Sequence, residues 1–322
     1  MRTFLSRLLH SEQAGLLIAL LLLCAVIAAL SPVFLTVTNV TNILRDASLV
    51  AIAGIGMALI ILQGEIDLSV GSAQAVAGIL AVLVLNGSGS ILLAFAAALC
   101  LGGACGVANG LLVTRAGISS LIATLGMMAI LRGTAMVSTQ AVSIQAAVPG
   151  FSDIGTGHIG PLPLPVAVAA FFFVFFYFVL HHTPFGRYIY AVGGNAEAAR
   201  LAGLPVERIK VTVFAIGGGM AAISAFILAS RLNSGQPNAG LGFELQVIAA
   251  VVLGGVSLTG GVGSLAGAIL GILILTVLNN GLVLLNVSSF YHDIARGVVI
   301  ILAVYLDRRR RDSLLRRLLA NP

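Results

Sequence analysis

Charge is what this chain has least of. Only 9% of its 322 residues are Asp, Glu, Lys or Arg, where a soluble domain carries about 25%. Apolar classes make up 59%, and the mean hydropathy is +1.11. Such a chain needs lipid as its solvent, which excludes a soluble globular class. Ten spans of about 20 residues would use roughly 200 residues. The remainder makes short loops and leaves no room for a separate soluble catalytic domain.

Other scarcities exclude chemistries. Of 17 basic residues only Lys210 is a lysine, and it does not lie in a Gly-rich loop. The phosphate loop Gly-x-x-x-x-Gly-Lys-[Ser/Thr] is missing, so the chain cannot hydrolyse ATP alone by that route. Cys24, Cys100 and Cys105 lie in apolar runs without metal-ligand spacing, which argues against a disulfide framework or a zinc site. The five histidines do not cluster by metal spacing. A membrane enzyme would need converging acid, base or metal ligands, so no catalytic residue is named. His181 and His182 sit at a helix end and read as an interface marker.

What is present is a series of apolar runs. Ten candidate helices fall at 14–30, 47–62, 69–86, 90–113, 118–138, 163–181, 209–230, 243–258, 264–286 and 292–306. Turn signals separate them at Ser31-Pro32, Asn86–Gly89, Gly160–Pro165, Asn233–Gly240 and Thr259–Gly263. The expected fold is all-α: a polytopic transmembrane bundle of about 10 spans, with broken or re-entrant segments and both termini cytoplasmic. A re-entrant piece at 34–46 or at 64–70 would alter the count locally. The first run follows Arg2 and Arg7 but lacks a clean cleavage site before Ser31-Pro32, so it reads as an uncleaved span.

Alternating sides from a cytoplasmic N-terminus places Arg115, the 183–210 loop and the tail 307–322 inside, in keeping with the positive-inside rule. The tail holds Arg308–Arg311, Arg316 and Arg317. After an apolar run this cluster reads as a flank touching anionic lipid, not as a nucleic-acid site. Arg132 sits mid-run. Either it faces the interior or a wet cavity, or it snorkels to the surface. Two glycine ladders of spacing four, Gly102/Gly106/Gly110 and Gly263/Gly267/Gly271, predict close helix packing.

Polar residues concentrate in Gln63-Gly64-Glu65-Ile66-Asp67-Leu68-Ser69-Val70-Gly71-Ser72, between the apolar runs Ala47–Leu62 and Ala73–Leu85. A charge at membrane depth costs roughly 2.5–3.5 kcal/mol on insertion scales and is a functional suspect. The glycines suit a broken helix of the kind that lines transporter sites. Candidate pathway or helix-break residues are Gln63, Gly64, Glu65, Asp67, Ser69, Gly71, Ser72, Asn279 and Asn280, with Gln74 and Asn109 as further lining groups. Asp67 either caps the following helix, the favoured role, or touches substrate.

The longest charged stretch between spans is 183–210. Asn195 is a good N-cap, Glu197 suits the first turn, and Ala196–Ala202 propagates a helix. Gly203 ends it and Pro205 prevents continuation. The product is a short, self-capped helix outside the membrane, either a docking element or an ordered loop.

Here the residues resemble a known family. Glu197-Ala198-Ala199-x-x-x-Gly203 resembles the EAA loop of ATP-binding-cassette importer permeases. The run Phe185–Asn195, the segment Ile66–Ser72, the run Leu253–Ser264, Leu278–Leu282 and Val287–Tyr291 all look like monosaccharide permeases of the ribose, xylose and arabinose type. The resemblance covers about 31–307. One departure is Glu65, where the ribose-type pattern has Gly. The resemblance implies one permease domain over 1–322, in a bacterial inner (cytoplasmic) membrane. It implies that Asn195, Glu197, Ala198, Ala199, Arg200 and Gly203 couple to a cytoplasmic sugar-import ATPase. It further implies a periplasmic or extracellular sugar-binding protein and a second permease copy or paralogue. The chain itself needs no cofactor, since ATP and magnesium belong to the partner ATPase. The competing reading is an ion-coupled secondary sugar transporter using Glu65 or Asp67, which leaves the capped loop without a role.

Overall fold

The computed structural model describes residues 12–288, together with 291, 294, 297, 298, 301 and 305. The expected tenth span at 292–306 falls largely, and the arginine tail wholly, outside the described residues. Among the described residues the fold is all-helical apart from four two-residue strands. Its helices are α1 (Glu12–Leu30), α2 (Val37–Leu62), α3 (Val70–Ser88), α4 (Ile91–Thr114), α5 (Ser120–Thr139), α6 (Asp153–Thr156), α7 (Leu164–His182), α8 (Pro184–Gly194), α9 (Ala196–Leu201), α10 (Val206–Leu232), α11 (Phe243–Leu253) and α12 (Leu265–Leu284). Among the described residues eight helices are long and apolar enough to cross a membrane. The strands are β1 (Ile144–Gln145), β2 (His158–Ile159), β3 (Leu162–Pro163) and β4 (Ser234–Gly235), with β1 paired to β4 and β2 to β3.

The centre is built from α2, α3 and α10, whose apolar windows are mostly buried, while α1, α4, α5 and α7 present most of theirs outward, as lipid-facing spans do. Glycine sets the spacing. Gly102, Gly106 and Gly110 of α4 lie against the backbone of Gly218, Phe214 and Val211 of α10, where any Cβ would overlap. Gly267 and Gly271 pack in the same way on Gly254 and Ala250. Gly263, the third member of that ladder, lies outside the helix, before the N-cap Ser264. Close backbone approach of this kind replaces the hydrophobic drive that lipid removes.

Three expectations need correction. The span expected at 47–62 begins ten residues earlier, at Val37, where the Thr36 hydroxyl accepts from Asn39 N at 3.4 Å. The suspected re-entrant piece 34–46 is mostly the first turns of this helix. Its residues Asn39, Asn42 and Asp46 share a helix face and line a cavity, so a hydropathy reading cut the helix short.

The run at 243–258 is helical only to Leu253 and is too short, at 11 residues, to cross alone. Before it, 233–242 runs non-helically down α3. Gly235 packs on Ile79 and Gly240 on Gly71. Arg132 of α5 turns inward and donates to the carbonyls of Pro237 and Ala239 at 2.9 and 2.8 Å. The open question about Arg132 is thereby answered: its guanidinium satisfies carbonyls that a broken span leaves without helical partners.

The second break is 63–69, between α2 and α3. Its backbone is also satisfied from α5. Ile66 N donates to the Ser120 hydroxyl at 3.3 Å and Leu68 N to the Thr124 hydroxyl at 3.0 Å. The two breaks meet where Gly71 abuts Gly240; a Cβ on either would overlap the other's carbonyl oxygen.

Candidate functional site

A cavity of about 590 Å³ opens at the end of the bundle away from α8 and α9, between α2, α3, α10, the 233–242 segment, α11 and α12. Its lining is rich in carboxamides: Asn39, Asn42, Gln74, Gln246, Asn279 and Asn280. Asn39 and Asn280 exchange hydrogen bonds, Asn280 Nδ2 to Asn39 Oδ1 at 2.9 Å and the reverse at 3.1 Å. Gln74 Nε2 donates to the Ser224 hydroxyl at 2.9 Å, which in turn donates to Leu49 O. Asp46 and Arg231 lie in the wall and pair with each other. Gly240 also lines the cavity, so the crossing of the two broken spans lies at its boundary.

Of the pathway candidates from sequence, Asn279, Asn280 and Gln74 line this cavity. The 63–72 motif mostly does not. Asp67 is 2% exposed, and its Oδ1 accepts from Ser69 N at 2.7 Å and from the Ser69 hydroxyl at 2.6 Å. Asn109 Nδ2 reaches the Asp67 carboxylate at 3.4 Å and the Ser69 hydroxyl at 2.9 Å. Ser72 bonds back to Ser69 O at 2.9 Å. Gln63 ends α2 and is buried. Gly64 adopts φ of 85° beside Gly193 and Thr259. This cluster holds the break in shape and is walled off from the cavity. Glu65 turns the other way and pairs with Lys210, four residues into α10.

The α8–α9 end has its own construction. The Asn195 side chain accepts from Ala198 N at 2.9 Å, capping α9. Gly203 sits at φ of 83°, and Leu204 N returns to Ala199 O at 3.0 Å. Glu197 and Arg200 form an exposed pair at 3.2 Å, and Ala198 starts the turn whose neighbour Ala199 is buried. Sequence reasoning missed α8, although Thr183-Pro184 is an N-cap followed by proline at the first helical position. The Tyr190 hydroxyl of α8 donates to Gly263 O at 3.0 Å, and burial pushes this phenol above its ordinary pKa. Gly261 N donates to Leu62 O at 2.9 Å, tying the 254–264 loop to the end of α2.

Asn39, Asn42, Asp46, Arg231, Gln246 and Thr276 were also missed. Their signal was polar side chains recurring at helical spacing inside apolar runs, as at 39, 42 and 46. Among the described residues no group of three or more His, Cys, Asp or Glu is arranged to hold a metal, and the three cysteines are free.

Residues 39–304 match the family model described as the permease component of the branched-chain amino acid transport system. The chain belongs to this family. Among its relatives, the permease is 44% identical to the ribose import permease protein RbsC of Escherichia coli, over 96% of this chain and 98% of the relative. It is 40% identical to the L-arabinose ABC transporter permease protein AraH of Azospirillum brasilense, over 94% and 89%. It is also 40% identical to the ribose import permease protein RbsC of Bacillus subtilis, over 93% and 94%. No solved structure matches the permease. With eight membrane-length helices among its described residues, it is a multi-pass membrane protein.

Proposed function

We propose that this permease is the membrane subunit of a binding-protein-dependent ATP-binding-cassette importer for a monosaccharide. It sits in the bacterial inner membrane with both termini cytoplasmic. The observation that carries the reading is the near-full-length identity to permeases named for ribose and L-arabinose import. The α8–α9 end is then cytoplasmic, and α9, with Asn195, Glu197, Ala198, Ala199, Arg200 and Gly203, seats in a groove of a separate ATPase. That partner holds ATP and magnesium. The cavity faces the opposite side, where an exported binding protein delivers sugar, and a second permease copy or paralogue completes the membrane unit. Asp67 serves the break rather than the sugar, since Ser69 and Asn109 already occupy its oxygens.

Reconstitution in liposomes with the ATPase and binding protein tests this reading. Uptake should need ATP and the binding protein and should ignore a protonophore or a sodium ionophore. Uptake that runs without ATP and collapses with the ionophore would replace the reading by ion-coupled transport.

A further inference from the structure

Three segments lie outside both the cavity and α9: the end of α8 at Gly193, the end of α2 with the start of the 63–69 break, and the 254–264 loop. The structure brings them together. We propose that their junction is the inner seal of the pathway, a glycine-packed gate that exposes Gln63 to the passing solute when it parts. This rests on the import reading, which makes the α8–α9 end cytoplasmic.

The cavity is lined by one part of α2, α11 and α12. Followed the other way, the same three helices end at one place. α2 stops at Leu62, the 254–264 loop joins the end of α11 to the start of α12, and Gly261 N donates to Leu62 O at 2.9 Å. By helical rise this junction lies roughly 16–18 Å along α2 and α12 from Val50 and Thr276 in the cavity wall. A solute moving between these helices toward the α8–α9 end runs into it.

The junction is closed backbone on backbone. A Cβ on Gly193 would overlap Leu62 O and Gly261 N, and one on Gly260 would overlap Gly64. Gly260 and Gly261 have φ of 81° and 73°, so the loop needs glycine there for its shape as well as for the contact. The loop is itself a closed turn, with Ser257 N on Val262 O at 2.9 Å and Gly260 N on Ser257 O at 3.0 Å. One hydrogen bond from Gly261 and a set of glycine contacts therefore hold a preformed turn against the end of α2, and they can part without unfolding either side. Tyr190 ties the loop to α8 through Gly263 O, and Asn195, the cap of α9, follows the last residue of α8. A displacement of α9 thus acts on α8 and on the loop it holds.

An independent observation is Gln63. It sits in the junction between Leu62 and Gly64, is 1% exposed, and neither its Oε1 nor its Nε2 has a hydrogen-bond partner. Buried polar groups are nearly always paired, and a carboxamide with both ends unpaired is a standing cost in a static core. In a gate it has a use. When the segments part, its donors and acceptor meet water and the solute's hydroxyls, which offsets the lost contacts of the closed form.

The test uses the complete importer in proteoliposomes, with Cys24→Ala, Cys100→Ala and Cys105→Ala removing the native thiols. A membrane-impermeant methanethiosulfonate is added to either face, at rest and during turnover with ATP, the binding protein and D-ribose or L-arabinose. At rest Asn279→Cys, in the cavity wall, should react from the outer face, and Gln63→Cys from neither. Turnover should speed reaction of Gln63→Cys by about tenfold or more, as expected when an open state becomes populated. Adding Gly193→Ala, whose Cβ has no room against Leu62 O, should produce a similar gain at rest. Gly194→Ala, whose Cβ enters open space, should not. Gln63→Cys reacting at rest from the outer face as fast as Asn279→Cys would overturn the seal. So would Gln63→Cys staying unreactive through ATP-driven uptake, or staying unreactive at rest in a Gly193→Ala permease that elutes as folded protein. Each of these leaves the import reading standing. The expected resting pattern without any ATP-dependent uptake would uphold the seal and overturn the import reading.

Discussion

Asp67 illustrates how a single residue makes a break possible inside a bundle. A non-helical segment at membrane depth is tolerated only where its polar groups are satisfied by protein. Asp67 takes two hydrogen bonds from Ser69 and a third contact from Asn109, and it does so at the start of α3. Asp67→Asn keeps an acceptor oxygen and should retain partial transport. Asp67→Ala removes it and strands the Ser69 and Asn109 donors, at a cost of roughly 1–3 kcal/mol for each buried group left unpaired. The expected outcome is a lower melting temperature and less folded protein, read by size-exclusion yield. A fully folded Asp67→Ala permease with altered sugar preference would assign the residue to the substrate. Gly71→Ala should be worse, because its Cβ would overlap the Gly240 carbonyl and the Glu244 carboxylate, which belong to the facing break and to α11. A loss of about 1–3 kcal/mol is expected from such overpacking. Gly87→Ala, at a site with open space around it, is the control.

At the scale of elements, the sequence was most legible where local rules suffice. The cap, propagation and stop of α9 follow from Asn195, the alanine run and Gly203, and the helix makes the corresponding hydrogen bonds. Legibility failed where polarity served a long-range purpose. The start of α2 was lost because Asn39, Asn42 and Asp46 face a cavity that exists only once α12 is in place. The run 243–258 read as a full span because nothing local shows that the turn signal before it opens a long non-helical stretch whose carbonyls are satisfied by Arg132, about a hundred residues away in sequence. The capping of α9 yields a prediction at this scale. Gly203 holds a left-handed conformation with open space around its missing Cβ. Gly203→Asp therefore brings backbone strain and charge without a clash, and strain of this kind costs on the order of 1 kcal/mol. The permease should still insert and fold, while association with the ATPase, measured by co-purification, falls and uptake is lost. Normal co-purification together with normal uptake would remove α9 from the coupling role.

For the whole molecule, the question is how motion at the α8–α9 end could reach a cavity at the far end of the bundle. The cavity is bounded where Gly240 meets Gly71, and Gly71 follows directly from the 63–69 break. That break is anchored at its lower end by the Glu65–Lys210 pair, whose side chains are only 11% and 17% exposed. Lys210 lies in the first turn or so of α10, next in the chain after α9 and Gly203. If α9 is the coupling element proposed above, this ion pair gives its displacement a route to the break, in a chain that carries Glu at position 65 and its one lysine at 210. Glu65→Lys sets two like charges in a half-dry site, and Lys210→Glu does the same with the opposite sign. Each should cut coupled uptake by about tenfold or more, on the scale of disrupting a largely buried pair. ATP hydrolysis stimulated by the binding protein should persist, since neither residue touches the cavity or lies in α9. The exchanged pair Glu65→Lys with Lys210→Glu restores opposite charges, so the double variant should recover most of the uptake, the non-additivity expected of residues in direct contact. Additive losses in the double variant would mean that the contact between the two charges does not carry the coupling, which would then travel through the Tyr190–Gly263 and Gly261–Leu62 hydrogen bonds at the same end.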